Sequence, residues 1–275
     1  MDISAEKGMS APHWSEAARA DFAVLGDPIT HSRSPQMHGA AFAALGLEFR
    51  YEAIQVPLSE FEPTLAHLAG LGYRGVNCTV PLKEAALVWA DSPDNVARLT
   101  GAANTLDLIS RRATNTDVSG LRQLVREACP DATSALVLGA GGSARASIVA
   151  LQMEGIAVSL WNRTLERAED LAVEMDSVMV VASPDLEPYD LVINATSAGL
   201  TGDALPVDWS TAAPGTFALD LMYGKPSEYL DGARAAGLSC EDGLGLLVAQ
   251  GADSLRWWLG VDPPLELMRR AVCDD

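Results

Sequence analysis

Short apolar runs alternate along this chain with longer segments in which apolar and small residues recur at helical spacing. Phe22-Ala23-Val24-Leu25-Gly26 reads as a first strand, and 35–45 as an Ala-rich helix. A second strand is predicted over 50–56 and a second helix over 60–71. Gly75-Val76-Asn77-Cys78-Thr79-Val80 reads as a strand with a polar tip, followed by a helix from Pro81. A short helix over 95–99, a strand over 103–106 and a helix over 118–128 come next, and Cys129-Pro130-Asp131 breaks the pattern. A new run of strands begins at Ser134, with further strands over 157–161, 178–181, 191–193 and 217–219 and helices between them. Two helices, 245–259 and 265–272, close the chain. Such alternation predicts an α/β fold with parallel sheet. Boundaries fall near 117 and 241. They give units of 1–117, 118–241 and 242–275, the last free to pack back on the first. Residues 1–20 read as an extension ahead of the first strand, either disordered or preceding a true start at Met9.

Charge narrows the partners. The 19 Lys and Arg against 37 Asp and Glu give a net charge of −18, which argues against nucleic acid and anionic membrane surfaces. An anionic ligand must therefore be held by local cations, hydroxyls and N–H groups. Cys78, Cys129, Cys240 and Cys273 lack C-x-x-C spacing and read as reduced thiols of a cytoplasmic protein. The histidines form no metal-ligand pattern, so no metal is expected. No basic start followed by an apolar run marks a secretory signal, and no apolar stretch approaches the ~20 residues of a membrane span.

Candidate chemistry clusters at strand ends. Gly139-Ala140-Gly141-Gly142-Ser143-Ala144 follows a strand and opens a helix. In that context glycines permit a tight turn and close approach of a pyrophosphate to the helix N-terminus. The next strand ends Trp161-Asn162-Arg163-Thr164, with Arg167 a turn later. A ribose 2′-hydroxyl usually meets a carboxylate here, whereas guanidinium groups grip a 2′-phosphate, so the pattern predicts NADP rather than NAD. Thr164 also suits a helix N-cap.

Lys83 is one of three lysines in the chain. Pro81 at the first helical position would place Lys83 in the first turn, where the helix dipole mildly disfavours a cation. A lysine there calls for a reason, and acid–base work supplies one. Ser34 before Pro35 reads as an N-cap, whereas Ser32 has no capping role, and the two hydroxyls near a helix N-terminus suit a small carboxylate. Gly101-Ala102-Ala103-Asn104-Thr105 and Asn115-Thr116-Asp117 add polar tips.

Together these motifs resemble the shikimate dehydrogenase family. GxPIxHSxSPxxH is matched over 26–38, and NxTxPxK by Asn77, Thr79, Pro81 and Lys83. GAxNT is matched over 101–105, NTD over 115–117, the glycine loop over 139–142 and NRT over 162–164. NATSxGL follows over 194–200, D-x-x-Y over 220–223 and GLGxLVxQ over 243–250. The resemblance implies two α/β domains: an N-terminal substrate domain and a Rossmann-type NADP domain, with the site in the cleft between them. It implies Lys83 and Asp117 as the catalytic pair, with Ser32 and Ser34 on the substrate carboxylate. Asn77, Thr79, Asn104, Asp117 and Gln250 would hold ring hydroxyls, with Tyr223 close to the ring. Gly139, Ala140, Gly141, Gly142, Ser143, Asn162, Arg163, Thr164, Arg167 and Leu221 would carry NADP, with Gly243 near the nicotinamide. The implied reaction is reversible reduction of 3-dehydroshikimate to shikimate on the route to chorismate and the aromatic amino acids, by a monomer or homodimer. A quinate/shikimate or aminoshikimate dehydrogenase, and a non-catalytic NADP-binding module, are the alternatives. The chain departs from the family pattern at Val118, where Gly is common and here is delayed to Gly120, at Gly39, where Asn is common, and in a short 105–115 segment that predicts a trimmed hairpin.

Overall fold

A computed structural model of the chain describes residues 13–196, 198 and 204–273. Met9 and the Ser197, Gly199 and Leu200 positions of the 194–200 motif lie outside the described residues.

The first sheet is built from β1 (Phe22–Gly26), β2 (Tyr51–Gln55), β3 (Gly75–Cys78), β4 (Ser92–Pro93), β5 (Thr105–Asp107) and β6 (Arg112–Thr114). Its strand order is β2-β1-β3-β5-β6-β4. The helices of this part are α1 (Ser34–Ala44), α2 (Phe61–Leu71), α3 (Lys83–Trp89) and α4 (Asn95–Thr100). β1 is buried along its whole length because both faces are covered. Alternation sends Phe22 and Val24 into one core and Ala23 and Leu25 into the other. The sheet is not parallel throughout. β5 runs antiparallel to β3, and β6 antiparallel to β5. The 105–115 segment keeps its hairpin, turning through Arg111 at φ 51°. The short β4 and β6 lack the apolar run that would announce a strand.

α5 (Thr116–Ala128) leads into the second sheet. That sheet comprises β7 (Ser134–Leu138), β8 (Ala157–Trp161), β9 (Val178–Val180), β10 (Leu191–Asn194), β11 (Phe217–Asp220) and β12 (Cys240–Glu241). The order β12-β11-β10-β7-β8-β9 is parallel throughout. This is the doubly wound dinucleotide-binding order, with its topological switch point between β7 and β10. α6 (Gly142–Met153), α7 (Leu165–Glu174) and α8 (Glu228–Ala235) belong to this part. One expected helix is missing: β9 and β10 are joined by turns alone, through a stretch holding Pro184 and Pro188.

α9 (Leu244–Leu259) and α10 (Leu265–Cys273) return to the first sheet. Leu247, Val248, Leu255 and Met268 cover the face that bears Phe22, Val24 and Tyr51. Leu246 meanwhile joins the core of the second sheet. The boundary read near 117 falls in the first turn of α5, so that helix is continuous across it. Val118 is buried in the second core. Gly120 meets α9 so closely that a Cβ there would lie 2.9 Å from Leu246 and 3.1 Å from the Gln250 backbone nitrogen. The displaced glycine thus serves a helix crossing.

Part of the expected N-terminal extension packs on the first domain. The Tyr73 hydroxyl donates to the Ala18 carbonyl at 2.7 Å, and Trp14 meets His67 edge-on at 5.5 Å between ring centroids.

The seat of α9 generates a stability prediction. Trp258 Nε1 donates to the Leu106 carbonyl at 3.0 Å, directly over Gly75. A Cβ at Gly75 would lie 2.5 Å from that indole nitrogen and 2.8 Å from the carbonyl oxygen. Gly75→Ala should therefore destabilise the protein by about 1–3 kcal/mol through overpacking. Urea unfolding should show this as a lower midpoint with an unchanged slope.

Candidate active site

The polar ends of β3, β5, α3 and α5 meet at Lys83. The chain leaves β3 through a turn closed by the Leu82 N–H donating to the Thr79 carbonyl at 2.7 Å. Pro81 lies in this turn, not at the first helical position, and Lys83 itself is the first residue of α3. The cation at the positive helix end is offset by a carboxylate: Lys83 Nζ donates to Asp117 Oδ2 at 2.7 Å. Lys83 is 9% exposed and Asp117 7%. A pair this far from water is held by mutual neutralisation, so losing either member strands the other. Asp117 is fixed in turn. Its backbone N–H donates to Asn115 Oδ1 at 3.2 Å, and Asp117 Oδ1 accepts from Asn104 Nδ2 at 3.0 Å. Lys83 also donates to Ser143 Oγ at 3.1 Å, linking the first part of the chain to the glycine loop.

A cavity of about 240 Å³ opens beside this pair. Every residue expected at the substrate lines it: Ser32, Ser34, Asn77, Thr79, Lys83, Asn104, Asp117, Tyr223 and Gln250. The serine roles are the reverse of the sequence expectation. Ser34 is the first residue of α1 and makes no capping bond, whereas Ser32 Oγ accepts the Ser34 N–H at 3.3 Å. Burial pushes the Tyr223 phenol above its ordinary range, while hydrogen bonds from the Arg33 backbone and with Ser32 pull the other way.

A second cavity, of about 710 Å³, adjoins the first. Gly139 to Ser143, Asn162, Arg163, Thr164 and Arg167 line it, and Lys83 and Ser143 line both cavities. Leu221 and Gly243, read as cofactor residues, line the smaller cavity instead. Thr164 occupies the N-cap position of α7 without a side-chain capping bond. The glycine loop fits a dinucleotide. Gly139 has φ 111° and so close an approach to Ala195 that a Cβ would lie 3.1 Å from its carbonyl. Gly141 faces open space, and no side chain caps the N-terminus of α6. The anion-binding end of that helix is thus left to a ligand, with Arg163 and Arg167 farther along the same cavity. Among the described residues no group of His, Cys, Asp and Glu could hold a metal ion, and no helix is long and apolar enough to cross a membrane.

Models of three family segments match the chain. The shikimate dehydrogenase substrate-binding domain matches residues 24–106, shikimate/quinate 5-dehydrogenase residues 123–201, and the shikimate 5′-dehydrogenase C-terminal domain residues 243–273. The NADP(+) shikimate dehydrogenase of Methanothrix thermoacetophila is 38% identical over 265 residues, covering 91% of this chain and 96% of its own. The chain belongs to the shikimate dehydrogenase family. The corresponding enzyme of Acidiphilium cryptum is 40% identical over 263 residues, covering 92% of this chain and 95% of its own. Among solved structures, the family member from Thermus thermophilus in complex with NADP(H) and shikimate superposes with a TM-score of 0.84. It is 38% identical and covers 92% of this chain and 98% of its own.

Behind the site lies a layer of which sequence reasoning missed Tyr51 and Ser254 and gave Thr105 and Thr116, quoted within the polar tips, no role. Tyr51, Thr105, Thr116 and Ser254 hydrogen-bond the asparagines from below. Ser254 was within reach, since it lies one helical turn after Gln250 on the same helix face. His38 sits in this layer too. It is fully buried and stacks on Tyr51 at 4.2 Å, and neither ring nitrogen has a partner.

Burial lowers the His38 pKa from 6.5 to about 3. The folded protein therefore keeps a neutral imidazole down to about pH 3, while the unfolded chain takes up a proton near 6.5. Between those values the unfolded state binds more protons, so stability is full above pH 6.5 and falls as pH drops toward 3. His38→Phe should flatten this acid slope by up to about 1.4 kcal/mol per pH unit. Chemical unfolding at pH 4, 5, 6 and 7 measures it.

Proposed function

We propose that this chain catalyses the reversible reduction of 3-dehydroshikimate to shikimate with NADPH, in the cytoplasm, on the route to aromatic compounds. One observation carries the reading: a buried ammonium–carboxylate pair, Lys83 and Asp117, stands where a polyhydroxyl-binding cavity meets a dinucleotide cavity. Residues up to 117 serve as the substrate domain, 118–241 as the NADP domain, and 242–275 as helices returning to the substrate domain.

NADPH, when bound, supplies the hydride to the ring carbonyl carbon. As charge grows on the carbonyl oxygen, protonated Lys83 stabilises it and delivers a proton. Asp117 holds the ammonium in place and accepts from a neighbouring ring hydroxyl. Ser32 and Ser34 bind the carboxylate. Asn77, Thr79, Asn104 and Gln250 bind hydroxyls, and Tyr223 lies against the ring. Gly139 to Gly142 and Ser143 receive the pyrophosphate, Asn162, Arg163, Thr164 and Arg167 the 2′-phosphate end, and Leu221 and Gly243 the nicotinamide end. A site that bonds each hydroxyl rejects analogues lacking one, because its buried partners are left unpaired.

Following formation of the reduced nicotinamide by absorbance, with shikimate and NADP and with quinate and NAD in parallel, tests the assignment. Turnover confined to quinate with NAD would overturn it, and no turnover with any pair would leave a binding module. Lys83→Met should lower kcat by roughly 10²–10⁴-fold. It should also cost about 3–5 kcal/mol of stability by stranding the Asp117 carboxylate. Adding Asp117→Asn should restore much of that stability but none of the activity, which separates the catalytic loss from the folding loss.

The cofactor preference has its own test. Replacing Arg163 and Arg167 with Ala should weaken NADP binding by about 1.5–3 kcal/mol for each lost charge-assisted contact. NAD turnover should stay near its starting value. Equal kcat/KM for the two cofactors in the unaltered protein would contradict the arginine reading.

A further inference from the structure

Asn77 has its hydrogen bonds assigned by its neighbours. Its Nδ2 lies 3.0 Å from each of three oxygens: the Asn104 carbonyl, Thr105 Oγ1 and Ser254 Oγ. The carbonyl can only accept, so the amide nitrogen must face it, and a flipped amide would set two carbonyl oxygens against each other. Oδ1 therefore faces the Tyr51 hydroxyl, 2.6 Å away, and that hydroxyl must be the donor. Tyr51 is held for this task. It lies beside Phe22 in the β1–β2 register, as Asn77 lies beside Val24 in the β1–β3 register, and the His38 ring stacks within 8° of parallel on it.

The donors of Asn77 are then all committed. The amide carries two N–H hydrogens, and three acceptors compete for them. No N–H of Asn77 is left for a ligand, whereas Oδ1 has a second lone pair. Asn104 has the opposite polarity. Its Oδ1 is filled by the Thr116 N–H at 2.8 Å and the Thr105 hydroxyl at 2.9 Å, and its Nδ2 points at Asp117 and, at 3.4 Å, at Gln250.

We infer that Tyr51 is a positioning residue that makes Asn77 an acceptor-only contact in the cavity, so that the ring substituent bound against Asn77 is a hydrogen-bond donor and not the reacting position. This rests on the function proposed above. The reacting position alternates between a hydroxyl and a carbonyl. A carbonyl against an acceptor-only amide would be repelled, so that position belongs beside the donating Lys83. The site then tolerates a hydroxyl or an amine opposite Asn77 and refuses any group without a hydrogen to give.

Shikimate analogues carrying fluorine or an amino group at each non-reacting hydroxyl test this, assayed with NADP. At one of those positions fluorine should raise KM by about 100-fold or more, while an amine stays within about tenfold. Tyr51→Phe should raise KM for shikimate about tenfold with kcat changed less than about threefold, and should shrink the fluorine penalty. Tyr73→Phe removes another tyrosine hydroxyl, one bonded to Ala18 away from the cavity, and should leave KM unchanged. Fluorine accepted at both positions, or a Tyr51→Phe protein with its starting KM and full fluorine penalty, overturns the inference. Should the unaltered protein not oxidise shikimate, the functional reading has failed, and ligand-free side-chain amide exchange by NMR decides the positioning on its own. Both Asn77 amide protons should exchange slowly, and faster in Tyr51→Phe; a rapidly exchanging proton in the unaltered protein overturns it.

Discussion

A lysine ammonium and an aspartate carboxylate, both almost out of water, can persist in this cleft only because each neutralises the other. Much of the surrounding architecture keeps the 2.7 Å contact between Lys83 and Asp117 in register. α3 begins at Lys83 and α5 one residue before Asp117, so two helix starts are brought together across β5. Asn104 reaches Asp117 from the start of that strand, and Asn115 holds its backbone. Ser143 brings the glycine loop to the same ammonium. The cofactor cavity and the substrate cavity thus share one charged wall.

The site's polarity depends on groups that a ligand never meets. Tyr51, Thr105, Thr116 and Ser254 set a fixed pattern of donors and acceptors beneath Asn77 and Asn104. Hydrogen-bond counting, more than cavity shape, makes two chemically identical amides present opposite faces. A buried polar network of this kind specifies strongly because an incomplete member is costly.

Much of this was legible in the sequence. β1, α1 and the Ser134-to-Ser143 unit follow from apolar runs, helical spacing and glycines, and the residues expected around Lys83 line one cavity. What escaped was set by tertiary context. β4 and β12 are two-residue edge strands made by pairing alone. Ser32 took the backbone hydrogen bond expected of Ser34 because α1 starts one residue earlier than a cap at Ser34 would allow. Pro81 entered a turn where the pattern suggested a helix start. Lys83 was singled out for its place in a first helical turn, but its burial as half of an ion pair comes from tertiary packing. Tyr51 carried no signal, and His38 closed the 26–38 motif without a role attached, since what each does is set by their mutual stacking and by Asn77 on another strand.

α9 carries Leu246 into one core and Leu247 and Val248 into the other. During synthesis, then, the strand face bearing Phe22, Val24 and Tyr51 meets Met37, Ala41 and Phe42 of α1 early, but emerges long before the rest of its cover on α9 and α10. Domains tend to complete in order as they leave the ribosome, but here one core of the earliest-made sheet is complete only when α9 and α10 are in place. A late-made helix thus completes the earliest sheet, bringing Gln250 to the cavity and Ser254 to the hydrogen-bond layer beneath it.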